Sequence, residues 1–204
     1  MKRLALLLAL NALVAPATQA LEFTQVQADQ SRITFGYSQM GVGMDGDFKT
    51  FSGQLHFDPA QPASAQAVIE VDLASIDTGT PEADEEVATK TWFNTPAFPT
   101  ARFASSSVKA VGDNRYEVAG HLTIKGQTRE ILVPATFTAQ GNAGVFAGSF
   151  TLRRGDFAIG EGPWSAFDIV ANEVEVKFRL AVTPGNYPPS PHSTPTSTAI
   201  GDYP

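Results

Sequence analysis

The sequence predicts an all-β protein, an antiparallel barrel or sandwich of about eight or nine strands. Two observations carry this. From Asn172 to Val182 the apolar residues Val174, Val176, Phe178, Leu180 and Val182 alternate with Glu173, Glu175, Lys177 and Arg179, a period of two that sends apolar side chains to one face of an extended strand and charge to the other. The segments with this rhythm are separated by short clusters such as Gly112-Asp113-Asn114 and Gly141-Asn142-Ala143-Gly144, residue types that tolerate the positive φ of hairpin turns.

The same alternation marks the other strands in chain order. It runs through Ile33, Phe35 and Tyr37, then Phe51, Leu55 and Phe57, then Ile69, Val71 and Leu73. It returns in Tyr116, Val118, Leu122 and Ile124, in Ile131, Val133 and Phe137, and in Phe146 and Phe150. Between Tyr116 and Arg129 two such strands meet at Lys125-Gly126, which reads as a tight hairpin turn.

Only Pro81 to Phe93 looks helical. Thr80 suits the N-cap, Pro81 the first helical position, and Ala83 and Val87 share a face. Glu82, Asp84, Glu85 and Glu86 crowd the start of this helix, where carboxylates favour the positive end of the helix dipole; a Glu86–Lys90 pair one turn apart is expected as well. That reading is preferred over a calcium or other metal site, because no loop of alternating carboxylates around a glycine accompanies the cluster.

The termini read differently from the middle. Met1-Lys2-Arg3, the apolar run Leu4 to Val14 and the exit Thr18-Gln19-Ala20 have the pattern of a cleavable secretory signal over residues 1–20. The apolar run falls short of the ~20 residues of a membrane-spanning helix. The expectation is a protein that starts at Leu21, is released into the periplasm and folds as one domain over 21–183. Residues 184–204 hold six of the fourteen prolines among Ser and Thr, a composition that predicts a disordered tail; a tail that docks a partner is the alternative. The chain has no cysteine, which removes disulfides and thiolate metal ligands from consideration. Its formal charge is −7 and becomes more negative once Lys2 and Arg3 leave with the signal. Nucleic acid is therefore not an expected partner, since phosphates reward a basic face.

No catalytic residues are assigned. His56, His121 and His192 lie far apart, and two imidazoles without a third ligand make a poor zinc site. The alternation puts His56 and His121 opposite an apolar face, as exposed strand residues. Nucleophile elbows, phosphate-binding glycine loops and H-E-x-x-H are missing from the sequence. The aromatic inventory, fourteen Phe, two Trp and four Tyr, says more. In a sandwich it would fill a core, whereas an eight-stranded barrel is wide enough either to pack shut or to hold one small ligand.

Several pieces, in order, resemble one family. They are Gly46-Asp-Phe48 with Phe51, Phe57-Asp-Pro59, Ala74-Ser-Ile-Asp-Thr-Gly79, Trp92-Phe93 with Phe98-Pro99 and Phe103, Tyr116-Glu-Val-Ala-Gly-His-Leu-Thr-Ile-Lys-Gly126-Gln-Thr, and Arg154-Gly-Asp-Phe-Ala-Ile-Gly160. From about Thr24 to Val182 this pattern is similar to the YceI-like proteins, which bind isoprenoid lipids outside the cytoplasm. The chain departs from it at Gln39, where the family often has His, and at Ala158, where it has Gly; the latter suggests that a close backbone approach is relaxed there.

The resemblance implies an antiparallel eight-stranded lipocalin-like barrel that holds an isoprenoid, such as a quinone or a polyprenyl phosphate, without transforming it. By that carry-over Phe35, Tyr37, Phe51, Phe57, Val71, Leu122, Ile124, Phe137, Phe150 and Phe178 face the ligand. Trp92, Phe93 and Phe98 would cover part of the barrel. Arg153 and Arg154 would meet the headgroup, the competing reading being an Arg154–Asp156 surface pair. Trp164, in Gly160-Glu-Gly-Pro-Trp164, either anchors a turn or sits at the cavity mouth. No cofactor beyond a bound lipid or quinone is expected. Implied partners are the amphiphilic isoprenoid, a transient contact with a membrane or a membrane cytochrome, and a second copy of the chain. The rival readings are a lipid-modifying enzyme and a non-catalytic accessory of a cytochrome b561-like redox complex with its barrel packed shut.

Overall fold

The computed structural model describes residues 21–185; the expected signal and all but the first two residues of the expected tail lie outside them. Eight antiparallel strands close into a barrel. They are β1 (Phe23–Gln39), β3 (Phe51–Phe57), β4 (Gln66–Asp72), β6 (Thr100–Gly112), β7 (Arg115–Ile124), β8 (Gln127–Gln140), β9 (Ala143–Arg153) and β10 (Glu173–Thr183). Hydrogen bonding runs β10-β9-β8-β7-β6-β4-β3-β1 and returns from β1 to β10, so the barrel has no open edge.

Two shorter strands, β2 (Val42–Phe48) and β5 (Ile76–Asp77), extend the sheet beyond β1. This arrangement follows from the length and irregularity of β1. Its start pairs with β3 through Phe23↔Phe57. Its register with β10 shifts between Gln27 and Arg32, and from Ile33 to Gln39 its neighbour on the other side is β2 in place of β3. The extra residues bend the strand, carrying it from one side of the barrel wall onto a second ribbon.

Local sequence sets the hairpins. Met40-Gly41, Asp113-Asn114 and Lys125-Gly126 each join two strands, and every one of these six residues has positive φ. Two consecutive left-handed residues match the right-handed twist of the flanking strands. At Gly141-Asn142 only the glycine is left-handed, the mirror-image type II arrangement.

The helix α1 spans Pro81–Ala88 and is shorter than the sequence predicts. Its start is as expected, with Pro81 in the first turn and the Thr80 hydroxyl accepting from the Ala83 amide at 3.3 Å. It stops because Thr89 takes an extended backbone and turns its hydroxyl back to the Glu86 carbonyl at 2.7 Å, a local bond that competes with helix propagation. Lys90 therefore never reaches the helical position facing Glu86, and the expected pair does not form. The acidic cluster also has duties of its own. Asp84 Oδ1 accepts from both the amide and the hydroxyl of Thr78 at 2.7 Å, and no metal-ligating cluster occurs among the described residues.

Two apolar clusters fill the barrel ends. One is an aromatic floor in which Phe57 packs on Phe137 at 4.9 Å, Phe146 at 4.8 Å and Tyr116 at 5.4 Å between centroids, and Phe137 packs edge-on to Phe23. Such contacts add to the burial of the rings. Gly144 is required there, because a Cβ at that position would collide with the Phe137 ring. The other cluster gathers Leu73, Trp92, Leu122, Ile124, Phe157, Ile159 and Val170 under the opposite end.

Ala158 adds a conformational reason for the glycine that the resemblance puts at this position. Its φ of 54° and ψ of 35° are left-handed, a conformation that glycine adopts without strain. A left-handed non-glycine residue costs ~1–2 kcal/mol, part of which glycine returns through the freedom of its unfolded chain. Ala158→Gly is expected to stabilise the protein by about 0.5–1 kcal/mol in urea unfolding; a destabilisation would show that the Cβ makes a packing contact worth more than the strain.

Candidate ligand-binding site

Between the aromatic floor and the upper cluster lies a cavity of about 630 Å³, within the range of ~300–1,000 Å³ seen for small-molecule sites. Alternation along the strands builds its wall. Val174, Val176, Phe178, Leu180 and Val182 from β10, Leu122 and Ile124 from β7, and Phe35 and Tyr37 from β1 all turn inward, while Glu175, Lys177 and Arg179 stay outside. The face of α1 carrying Ala83, Glu86 and Val87 also contributes, with Trp92, Phe93 and Trp164. Thr80 and Glu82 both line the cavity and are exposed, so it reaches solvent beside the first turn of α1.

Most residues named from the sequence meet at this cavity: Phe35, Tyr37, Phe57, Val71, Trp92, Phe93, Leu122, Ile124, Phe150, Trp164, Phe178 and Arg154. Four do not. Phe51 is buried, but it stands at the start of β3, where β1 has left β3 and pairs with β2, and it is outside the lining. Phe98 packs on the Lys125-Gly126 turn, within 3.0 Å of where a Cβ on Gly126 would sit. Phe137 points inward yet is enclosed in the aromatic floor. Arg153 is exposed and pairs across the ladder with Glu173, because the alternation that turns Leu152 toward the cavity turns its neighbour outward.

Arg154 lines the cavity without being free to act there. It is 2 % exposed, among the most deeply buried side chains, and donates to the carbonyls of Ile159, Gly160, Trp164, Ala166, Val170 and Ala171 at 2.7–3.5 Å. Its guanidinium also lies 5.6 Å from the Trp92 ring centroid and 5.0 Å from that of Phe167. The planar fork of five N–H donors is what allows one side chain to bind so many carbonyls. No pair with Asp156 forms; the guanidinium's donors are directed to backbone carbonyls. Burial lowers the Arg154 pKa, yet the surrounding carbonyls suit only its cationic form.

Arg154 thus ties residues 159–171 across the top of the barrel, and two further bonds fasten this cap. Lys125 Nζ, from the β7–β8 turn, donates to the Ala158 carbonyl at 2.6 Å and lies 2.9 Å from Glu161 Oε2. Trp164 Nε1 donates to Glu86 Oε1 at 2.7 Å, joining cap to helix. Trp164 therefore both anchors its turn and lines the cavity. Sequence spacing gives little sign of the Glu86–Trp164 bond, because the partners are 78 positions apart. Val174, Val176 and Leu180, by contrast, carry the same alternation as Phe178.

The chemistry available is that of holding an apolar molecule. His56 is exposed and lies 2.7 Å from Glu22, and His121 is exposed on β7, so the two imidazoles do not meet in the barrel. Tyr37 has its pKa raised by burial and, secondarily, by Asp84, which keeps the phenol protonated.

Comparison with known proteins agrees with this architecture. A UPF0312 protein of Pseudomonas savastanoi pv. phaseolicola is 33 % identical over 170 residues, covering 78 % of this chain and 88 % of that protein. The crystal structure of Burkholderia cenocepacia BcnA superposes with a TM-score of 0.76 at 39 % identity, covering 78 % of this chain and all of BcnA. A polyisoprenoid-binding domain from Saccharophagus degradans shares the fold, with a TM-score of 0.63 at 15 % identity, covering 82 % of this chain and all of that domain. The model of the YceI-like domain matches residues 25–182, nearly the whole barrel from β1 to β10, and the chain belongs to the YceI-like family.

Proposed function

We propose that the protein is an exported, non-catalytic carrier or store of an isoprenoid lipid, held with its chain along the barrel axis. The observation that carries this reading is the apolar cavity, walled by alternate residues of the strands, closed at one end by the aromatic floor and reaching solvent beside α1. The Saccharophagus degradans domain of the same fold is a polyisoprenoid-binding domain, which supports the class of ligand. An accessory protein with its barrel packed shut would have no use for such a space.

Energetics say what such a protein must do. Burying roughly 500 Å² of prenyl surface is worth about 12 kcal/mol from water at ~25 cal/mol per Å², against an association cost on the order of 4–15 kcal/mol. The competing environment is a bilayer in which the chain is already buried, so the apolar term nearly cancels and polar contacts at the head decide selectivity. Transient contact with a membrane fits the exposure of Met40, Val42 and Phe167, at 72 %, 61 % and 50 %. Met40 and Phe167 lie on adjoining loops, joined by the Met40 amide to the Ile169 carbonyl at 2.7 Å. The basic, apolar and small-residue sequence of residues 1–20 supports export to the periplasm and a mature start at Leu21.

One experiment addresses both halves of the reading. The full chain is expressed in a Gram-negative host and purified gently from the periplasmic fraction. Its intact mass is expected to begin at Leu21, and mass spectrometry of an organic extract is expected to contain an isoprenoid at near-stoichiometric amount. A membrane-bound species that retains residues 1–20 would remove the export reading, and a lipid-free extract that stays lipid-free after incubation with prenyl lipids would remove the carrier reading.

A further inference from the structure

Beyond the closed barrel the sheet continues into β2, and the outer edge of that strand is covered by β5 only at Asp47 and Phe48. Val42 to Gly46 pair with β1 alone. The two-residue turn at Met40-Gly41 makes Gln39↔Val42 a hydrogen-bonded pair, and such pairs recur at every second residue of an antiparallel ladder. Val42, Met44 and Gly46 therefore bond to β1, whereas Gly43 and Asp45 turn their N–H and C=O groups away from it. The pairing of Asp47 with Asp77 of β5 on that outer side agrees with this phase. Gly43 and Asp45 make no other backbone hydrogen bond among the described residues.

Edge strands are commonly blunted by lysines, prolines or bulges, because an open edge is a template for another strand. The run from Val42 to Gly46 has none of these. Its register with β1 is continuous, it lacks lysine and proline, and a Cβ on Gly43 would meet nothing within 4 Å. Its one carboxylate, that of Asp45, is turned back over Gly36, 3.3 Å from where a Cβ there would sit, and leaves the edge clear. The two faces of the strand differ. Val42 and Met44 are exposed and share the face of their partners Gln39 and Tyr37. Asp45 is on the other face, in a shallow groove lined also by Glu173 and Glu175 and by no lysine or arginine.

We propose that this edge is a docking site for an extended segment of another protein, which joins the sheet as a further strand beside β2. Main-chain bonds to Gly43 and Asp45 supply the attachment, and side chains supply the choice. Apolar residues of the segment meet Val42 and Met44, and a lysine or arginine meets Asp45 across the new ladder. A second copy of the chain fits less well. It would set Asp45 diagonally against its own counterpart beside the acidic groove, and a run of five residues falls far short of the ~20–30 residues a side of a stable dimer. A bilayer covers apolar side chains such as Met40 and Phe167, but lipid offers no partner to strand N–H and C=O groups. The short contact makes the partner a transient one. It sits one strand away from Tyr37 and Gln39 of the cavity wall, and the assignment does not depend on what the cavity holds.

The test uses the full chain labelled with ¹⁵N, titrated at low salt with a blocked hexapeptide of alternating lysine and valine and with its glutamate–valine counterpart. The basic peptide is expected to shift the Gly43 and Asp45 amide resonances and to slow their hydrogen exchange. The Val42 and Met44 amides, already bonded to β1, should gain little protection. The glutamate peptide is expected to bind about tenfold more weakly, the scale of exchanging one cross-strand attraction for a repulsion, and Asp45→Lys should invert that preference. Gly43→Pro should abolish binding at unchanged melting temperature, since it removes an outward N–H and leaves the ladder with β1 intact. Shifts confined to α1 and other acidic surfaces, equal affinity for the two peptides, or undiminished binding to Gly43→Pro would each overturn the assignment. So would a dimer in sedimentation whose Gly43 and Asp45 amides are protected without peptide, because a second copy then holds the edge. Protection of the same amides by phosphatidylcholine vesicles would give the edge to a membrane and overturn it as well. If Gly43→Pro does not fold, the exchange pattern and the Asp45→Lys inversion decide.

Discussion

Arg154→Met is expected to destabilise the protein by about 3 kcal/mol or more, since each buried carbonyl left without a donor costs ~1–3 kcal/mol. The methionine fills some of the volume but leaves six carbonyls without their donor. Those carbonyls belong to residues 159–171, which lack a strand ladder of their own and would have to seek water. The damage should therefore be local before it is global. Hydrogen exchange should accelerate first at the Gly160 and Glu161 amides, which bond to the Thr91 carbonyl, while the amides of β8 and β9 keep their protection. Arg154→Lys should fall between the two, since an ammonium keeps the charge but has three donors and no planar fork. Urea unfolding and exchange rates check this. A loss below ~1 kcal/mol for Arg154→Met would mean that the cap is held by Lys125 and Trp164 instead.

What the sequence reveals here divides by the range of the interaction. Alternation is a local signal, so the strand from Glu173 to Thr183 and its inward set are readable without a structure, as are the hairpins that require two left-handed residues. The four misplaced site residues fail for a different reason. Alternation says which face a side chain takes, and Phe137 does face inward, but it cannot say where along the barrel the floor ends and the cavity begins. Phe51 fails because its wall loses a neighbour when β1 bends, an event set by the irregularity after Gln27. Arg154 was legible as an unusual residue within a motif, yet its role depends on carbonyls brought back by a loop up to 17 positions later. The length of α1 was misjudged because the Thr89 hydroxyl outweighs a helical composition that continues past it.

Leu122→Trp is expected to produce a stable barrel that no longer carries lipid. Leu122 projects from β7 into the cavity beside the upper cluster, and the larger ring can extend into space that the ligand otherwise fills. In a close-packed core the same enlargement costs ~1–3 kcal/mol through strained rotamers and displaced backbone. Against an open cavity the cost should be well below that, because the added atoms displace lipid or solvent and not protein. Leu132→Trp is the matched control. Leu132 is 56 % exposed on the outer face of β8, so the same enlargement there should change neither lipid content nor stability. The outcomes separate the two views of the barrel. Occlusion predicts unchanged thermal stability of the delipidated protein with extractable isoprenoid reduced several-fold. A solid interior predicts a lowered melting temperature and no lipid to lose, and that pattern would leave the cavity without a function.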